Sequence, residues 1–192
     1  MAKPCRDNPQ QREHDTPDAL RPHLQLDLTE SDLLEDPIEL SLSSLYASTL
    51  KEAGEVQNIA CVTVHSTASE KFVSLLRRTA SHARDNSRAD DETLIRHVYD
   101  LHLIYESMAS PADLKAMVKR VIEIDKSQFG NQHEEFVNDA NSELRYGLSL
   151  LIEQSHHLAR YDQFIGPLVY HPSPAKWDEA ISSVQELAVH WL

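Results

Sequence analysis

The sequence contains little cysteine and little glycine, and both shortages exclude classes of site. Its 192 residues include two cysteines, Cys5 and Cys61, which cannot form a disulfide framework. Only four glycines are present, and no P-loop, dinucleotide-binding fingerprint or Gly-x-Ser-x-Gly nucleophile elbow occurs. The eleven histidines show no His-x-x-x-His spacing, and there is no Cys-x-x-Cys pair, so we do not expect a zinc site.

Long apolar runs are also missing. No run of about 18 apolar residues is present, so we expect no membrane-spanning helix. The first ten residues lack the apolar segment of a signal peptide. Together with the low cysteine content, this predicts a protein of the reducing cytoplasm.

The chain has a large excess of acidic residues, with a formal net charge of −13. This charge argues against non-specific nucleic-acid binding by the surface as a whole. Basic residues are nevertheless concentrated in one stretch of the chain: Lys71, Arg77, Arg78, Arg84, Arg88 and Arg96. This pattern is compatible with a local basic groove on an acidic body, but taken by itself it favours a solvated helix face followed by a flexible basic loop.

The N-terminal third is patterned for extended structure. Residues 1–22 are rich in polar residues and proline, with almost nothing apolar, and this composition predicts a disordered tail. Alternation of apolar and polar residues then predicts strands at Leu24–Leu28 and Ile38–Leu42. The mostly apolar run Ile59–Val64 predicts a third and more buried strand.

From Ser66 onward, apolar residues recur every three or four positions, which is typical of helices. Thr67 and Glu70 fit a capping box, which predicts that a helix begins there. Lys71 falls on the face of this helix opposite its apolar side. A second helix, from Glu92 to about Met108, carries two occupied faces and is predicted to lie at the centre of the fold.

Three further helices with ordinary core patterning are predicted after this pair. One begins at Pro111, and another runs from about Glu134 to His157. The last has Ser173 as its N-cap and Pro174 at its first helical position.

Three side chains could handle a phosphate group or a metal ion. Lys71 is a compact cation suited to a triphosphate, although a lone helical lysine is usually just solvated. Asp100 could accept a hydrogen bond from a sugar hydroxyl, orient Lys71, or lie near a metal ion. Its simpler reading is an ion pair with Arg96 at i−4, worth about 0.3–0.5 kcal/mol if exposed. Asp27, between two leucines of a predicted strand, could be a metal ligand or a surface residue.

The order of these segments resembles that of a known family. The strand Leu26-Asp27-Leu28 is followed by Glu70-Lys71, by Leu75-Leu76-Arg77-Arg78, and by Arg96-His97-Val98-Tyr99-Asp100-Leu101. The AbiEii/AbiGii-type nucleotidyltransferase toxins similarly carry a lysine in an EK-hydrophobic-RR helix and an aspartate in an RxxYDL helix. The Arg96–Leu101 stretch is the most specific part of a resemblance that covers roughly residues 20 to 190.

The resemblance implies a reaction, a set of partners and a set of site residues. Members of that family use magnesium and a nucleoside triphosphate, several of them add nucleotides to the acceptor end of tRNA, and they are typically paired with an antitoxin. The site residues that it implies are, as catalytic groups, Lys71 and Asp100; as substrate-binding groups, Arg77, Arg78 and Arg96; and as a metal ligand, Asp27.

The sequence departs from that family at its first catalytic motif. This motif is a Gly-Ser pair followed by an Asp-x-Asp pair that holds two metal ions. None of the four glycines here precedes a serine, no Asp-x-Asp occurs, and only about 23 residues precede the first predicted strand. Since transfer with two metal ions needs bridging carboxylates, we expect a truncated chain that is inactive alone.

Pattern and resemblance together predict an α+β fold in three parts. These are a disordered tail at 1–22, a β-rich remnant of a nucleotidyltransferase core at 23–65, and a helical domain at 66–192. Two alternatives remain open at this level. One is a non-catalytic module that binds a partner, and the other is a HEPN-type ribonuclease toxin, based on the Arg-x4-His spacing of Arg77 and His82.

Overall fold

The computed structural model describes residues 32–88 and 90–192. Two strands and eight α-helices lie within these ranges: β1 (Ile38–Leu42), α1 (Leu45–Leu50), β2 (Val56–Cys61), α2 (Val64–Arg84), α3 (Arg96–Ser107), α4 (Lys115–Phe129), α5 (Glu134–Asn138), α6 (Ala140–Glu153), α7 (Ser155–Leu168) and α8 (Trp177–Trp191). Short 3₁₀ turns precede α3, α4 and α5. A small sheet followed by a helical body confirms the predicted α+β class.

The two strands form an antiparallel hairpin with α1 in its connection. Ile38 lies opposite Cys61 and Leu40 lies opposite Ile59, with an irregular register after Leu40. All five residues of β1 are exposed to solvent. The predicted strand Leu24–Leu28 lies outside the described residues.

The predicted third strand at Ile59–Val64 is wrong in its bounds and in its burial. The observed strand, β2, ends at Cys61 and is mostly exposed. It ends there because the next residues begin a helix: the hydroxyl of Thr63 accepts a hydrogen bond from the backbone N–H of Ser66 at 3.0 Å, which makes Thr63 the N-cap of α2.

The helix start predicted at Thr67 is therefore one turn too late. Thr67 lies inside the first turn of α2, where its hydroxyl donates to the carbonyl oxygen of Thr63 at 2.9 Å. Ser66 and Ala68 are buried, and their packing against the body supports the extra helical turn.

The core is built around α2, whose Phe72, Val73, Leu75 and Leu76 are completely buried. Helices α3, α4 and α6 pack against it. The ring of Phe72 meets that of Trp191 edge-on, with 4.9 Å between the centroids, which connects α2 to α8.

The second predicted helix lies beside α2 rather than at the centre of the fold, and its Leu103 is 51% exposed. Its α-helical part is α3, which packs against α2 and α8. Val98 and Leu101 are fully buried, and the Tyr99 ring lies 6.2 Å from that of Phe164 in α7. Within the described ranges, no helix has both the length and the apolar character needed to cross a bilayer.

The helix predicted over Glu134–His157 is instead three helices. Asp139 separates α5 from α6, because its carboxylate accepts a hydrogen bond from the N–H of Ser142 at 3.0 Å and so caps a new helix. A second break falls at Gln154, between α6 and α7.

The last helix also begins later than predicted. It starts at Trp177, three residues beyond Pro174. The N–H of Lys176 donates to the Glu179 carboxylate at 2.8 Å, which satisfies one free backbone donor at the helix start. This hydrogen bond, rather than a Ser173 cap, marks the beginning of α8.

Candidate functional site

Lys71 of α2 and Asp100 of α3 form an ion pair across the contact between the two helices. The Lys71 ammonium donates to Asp100 Oδ2 at 2.7 Å. The two side chains are 27% and 37% exposed, so solvent and small anions can reach the pair. A pair this accessible adds little to stability, about 1 kcal/mol or less.

His97 lies beside this pair, one turn before Asp100 on α3. Its Nδ1 lies 3.3 Å from Lys71 Nζ and 4.0 Å from Asp100 Oδ2. Burial, followed by the positive charge of Lys71, lowers the pKa of His97 to about 4, although Asp100 acts in the opposite direction. The ring is therefore neutral at physiological pH, and its Nδ1 can accept a hydrogen bond from the ammonium.

Arg78 lies two turns after Lys71 on the same side of α2. Its guanidinium donates to Asp91 Oδ2 at 2.6 Å. The other oxygen of Asp91 accepts from the N–H of Thr93 at 3.0 Å and caps the turn that leads into α3. Burial acts to raise the pKa of Asp91, but the hydrogen bonds from Thr93 and the charge of Arg78 outweigh it and lower that pKa. Asp91 is thus a stable anion that fixes Arg78 beside α3.

The other two arginines predicted to bind substrate lie away from the ion pair. Arg77 is buried, donates to Asp125 Oδ2 at 2.7 Å and stacks over the ring of Phe129, so it connects α2 with α4. The Arg96 guanidinium lies 5.6 Å from the ring centre of Phe164. Neither contact directs its guanidinium to Asp100.

A groove with a volume of about 550 Å³ runs between α2 and α4. Its polar lining includes Ser74, Arg77, Arg78, Arg88, Asp125 and His133. Lys71 and Asp100 do not line this groove, although Arg78 borders it. We place the candidate site at the ion pair rather than in the groove, because the ion pair combines accessible opposite charges with a neutral acceptor.

The Arg-x4-His spacing brings Arg77 and His82 to the same groove. Both side chains already have partners there. Arg77 is held by Asp125, and His82 Nδ1 lies 3.2 Å from the carbonyl oxygen of Arg88.

The predicted magnesium ligand, Asp27, lies outside the described residues. Within 32–88 and 90–192, no group of three or more His, Cys, Asp or Glu side chains is arranged to hold a metal ion. Asp100 offers one carboxylate, and one of its oxygens is engaged by Lys71. Since Mg²⁺ needs octahedral oxygen ligands, these residues do not by themselves fit that ion.

A family comparison covers the stretch that holds this ion pair. The family model described as "Nucleotidyl transferase AbiEii toxin, Type IV TA system" matches residues 8–183. The chain belongs to the AbiEii nucleotidyltransferase toxin family. This confirms the family predicted from the motifs around Lys71 and Asp100. No curated protein and no solved structure matches the chain.

Two residues of this AbiEii-family protein were not assigned a role from its sequence. The capping role of Asp91 could have been predicted, since an aspartate just before a helical segment is a typical N-cap. His97 stands inside the most specific motif, three residues before Asp100. Its contact with Lys71 depends on the packing of α2 against α3, so the spacing of residues in the sequence does not predict it.

Proposed function

We propose that the Lys71–Asp100 pair of this AbiEii-family protein binds the triphosphate of a nucleoside triphosphate. The observation that carries the proposal is the accessible ammonium of Lys71, held at 2.7 Å from Asp100 within the stretch matched by the family. Ammonium and guanidinium groups form charge-assisted hydrogen bonds to phosphate oxygens. Arg78, on the same side of α2, is a second cation near the site, although its guanidinium is paired with Asp91.

Asp100 has two roles in this proposal. Oδ2 orients the Lys71 ammonium, as the hydrogen bond between them supports. Oδ1 is the group that would accept a hydrogen bond from a sugar hydroxyl of the bound nucleotide. The pair would thereby fix both the phosphate and the sugar portions of one ligand.

We further propose that the complete system transfers the nucleotide to RNA, with the acceptor end of tRNA as the acceptor, and that an antitoxin neutralises it. Membership of a type IV toxin–antitoxin family supports this step. The net charge of −13 means that RNA would be held by local basic groups rather than by the whole surface.

The chain alone is expected not to complete the transfer. Its 192 residues contain neither the Gly-Ser pair nor the Asp-x-Asp pair that the family uses to hold two metal ions. We propose that these carboxylates lie outside this sequence, which supplies the half of the site that binds the phosphates. A chain acting only as a partner-binding module is the second candidate, and the exposed apolar residues of β1 favour it.

Triphosphate binding is tested with the purified chain and each of the four ribonucleoside triphosphates, with and without MgCl₂. We expect weak binding that decreases as the salt concentration rises. Lys71→Ala should weaken it at least tenfold, because it removes a charge that contacts the ligand. Lys126→Ala is a matched control: Lys126 is also 27% exposed and paired with a carboxylate, that of Glu123 on α4. Equal affinities of wild type and Lys71→Ala would overturn the proposal.

Transfer is tested with tRNA and the four radiolabelled triphosphates in magnesium or manganese. No label should be incorporated by the chain alone. Incorporation that is lost in Asp100→Asn would show that the chain is a complete enzyme. Metal-independent cutting of RNA that is lost in His82→Ala would instead favour the HEPN-type ribonuclease.

A further inference from the structure

Lys71 is held by more than its ion pair. An ammonium group has three N–H donors. Two acceptors surround it among the described residues: Asp100 Oδ2 at 2.7 Å and His97 Nδ1 at 3.3 Å. Two contacts from successive turns of α3 define the position of the ammonium. Among residues 32–88 and 90–192, its third N–H has no acceptor and is available to a ligand.

We propose that His97 is a positioning residue for Lys71, whose Nδ1 accepts a hydrogen bond from the ammonium and holds it in place for a nucleotide phosphate. The role rests on the proposed function of the Lys71–Asp100 pair. His97 itself does not contact the phosphate in this proposal, and it acts through Lys71.

The burial of His97 and the charged groups around it favour a neutral imidazole, whose proton is then on Nε2. Four charged groups act on the ring: Lys71 and Arg78 from α2, Asp91 from the turn before α3, and Asp100 from α3 itself. Burial of the ring and the two cations lower its pKa to about 4, so Nδ1 keeps its lone pair at neutral pH. A charged imidazolium would instead repel the ammonium, and its protonated Nδ1 could not accept a hydrogen bond from it.

A neutral acceptor beside Lys71 affects the charge of the site differently from a second carboxylate. A carboxylate at this position would neutralise the ammonium further and repel an incoming phosphate. The imidazole orients the same ammonium without adding negative charge. The site thereby keeps the positive charge of Lys71 available to an anionic ligand.

The test combines two substitutions of His97 with the triphosphate-binding measurement. His97→Leu removes the acceptor and should weaken binding about three- to tenfold, the value of one hydrogen bond. His97→Asn places Oδ1 close to the position of Nδ1 and should retain affinity within about twofold. His102→Leu is the control, since His102 lies on α3 but contacts Ser183 at 2.8 Å.

A second measurement needs no nucleotide. In an NMR titration of the free protein, Lys71→Met should raise the pKa of His97, because the substitution removes a neighbouring cation. An unchanged His97 titration, or equal weakening by His97→Leu and His97→Asn in folded protein, would overturn the positioning role. Failure of the wild type to bind any triphosphate would overturn the proposed function, and the positioning role with it. The titration distinguishes the two failures, because it reports the contact between His97 and Lys71 whether or not a triphosphate binds.

Discussion

Gly147 of α6 lies directly against the backbone of Leu76 of α2. A Cβ atom at position 147 would lie 2.1 Å from the carbonyl oxygen of Leu76, far closer than atoms of the two helices can approach. The helices can pack at this distance only because residue 147 has no side chain. Since α2 also carries Lys71, this contact helps to fix the helix on which the candidate site depends.

Gly147→Ala should therefore destabilise the protein. Helix propensity alone would make this substitution stabilising by about 1 kcal/mol. The overpacking against a backbone oxygen should outweigh it and lower the free energy of unfolding by about 1–3 kcal/mol, measured by urea denaturation. Gly166→Ala is the control, because nothing lies within 4 Å of a Cβ there. A gain of stability in both variants would contradict the close approach.

Glu143 should be among the polar residues most important for stability. It is only 3% exposed and accepts hydrogen bonds from Arg84 at 3.1 Å and His133 at 3.0 Å. Glu143→Gln should cost about 1–3 kcal/mol in the free energy of unfolding, because it breaks charge-assisted bonds in a buried place. Glu123→Gln, at a glutamate that is 72% exposed, should change it by less than about 0.5 kcal/mol. Similar effects of the two substitutions would show that the buried hydrogen bonds of Glu143 contribute no more to the free energy of unfolding than the contacts of an exposed glutamate.

Stability should decrease as the pH falls below about 6.5. His157 is buried, and burial, together with the charges of His156 and Arg160, lowers its pKa to about 4 from an ordinary 6.5. Between these values the unfolded chain binds a proton that the folded protein does not, so acidification favours unfolding by up to about 1.4 kcal/mol per pH unit for one such group. His157→Phe should reduce this slope in urea denaturation at pH 7, 6 and 5. A slope unchanged by the substitution would mean that His157 titrates normally.

The hairpin should make the protein prone to self-association. Ile38, Leu40 and Leu42 of β1 are 40–51% exposed, an unusual concentration of apolar side chains on one short strand. Leu40→Glu should lower hydrophobic-dye binding and light scattering at equal concentration, with little change in the free energy of unfolding. Val189→Glu is the control, since Val189 is an exposed apolar residue of α8, far from β1 in sequence. A wild type that is monomeric and binds no dye would show that this strand is not a docking surface.

Several elements could be predicted from local sequence because their signals are local. The alternation at Ile38–Leu42 predicts β1 correctly, and the three- and four-residue spacing after Glu92 predicts α3. The start of α2 could not be fixed in this way, since Thr63 and Thr67 both offer a capping hydroxyl. Burial of Ser66 in the body decides between them, and burial is a property of the fold.

The order of the Lys71 and Asp100 motifs along the chain was enough to predict the family, and the residue types in these motifs were enough to suggest phosphate binding. The partner of Asp100, in contrast, depends on how the helices pack. Local spacing suggests Arg96 at i−4, but the Asp100 carboxylate meets Lys71, 29 residues earlier in the chain, while Arg96 lies over the ring of Phe164. The reason is that an ion pair forms wherever packing brings opposite charges together, and here the packing of α2 against α3 places Lys71 and His97 around one carboxylate.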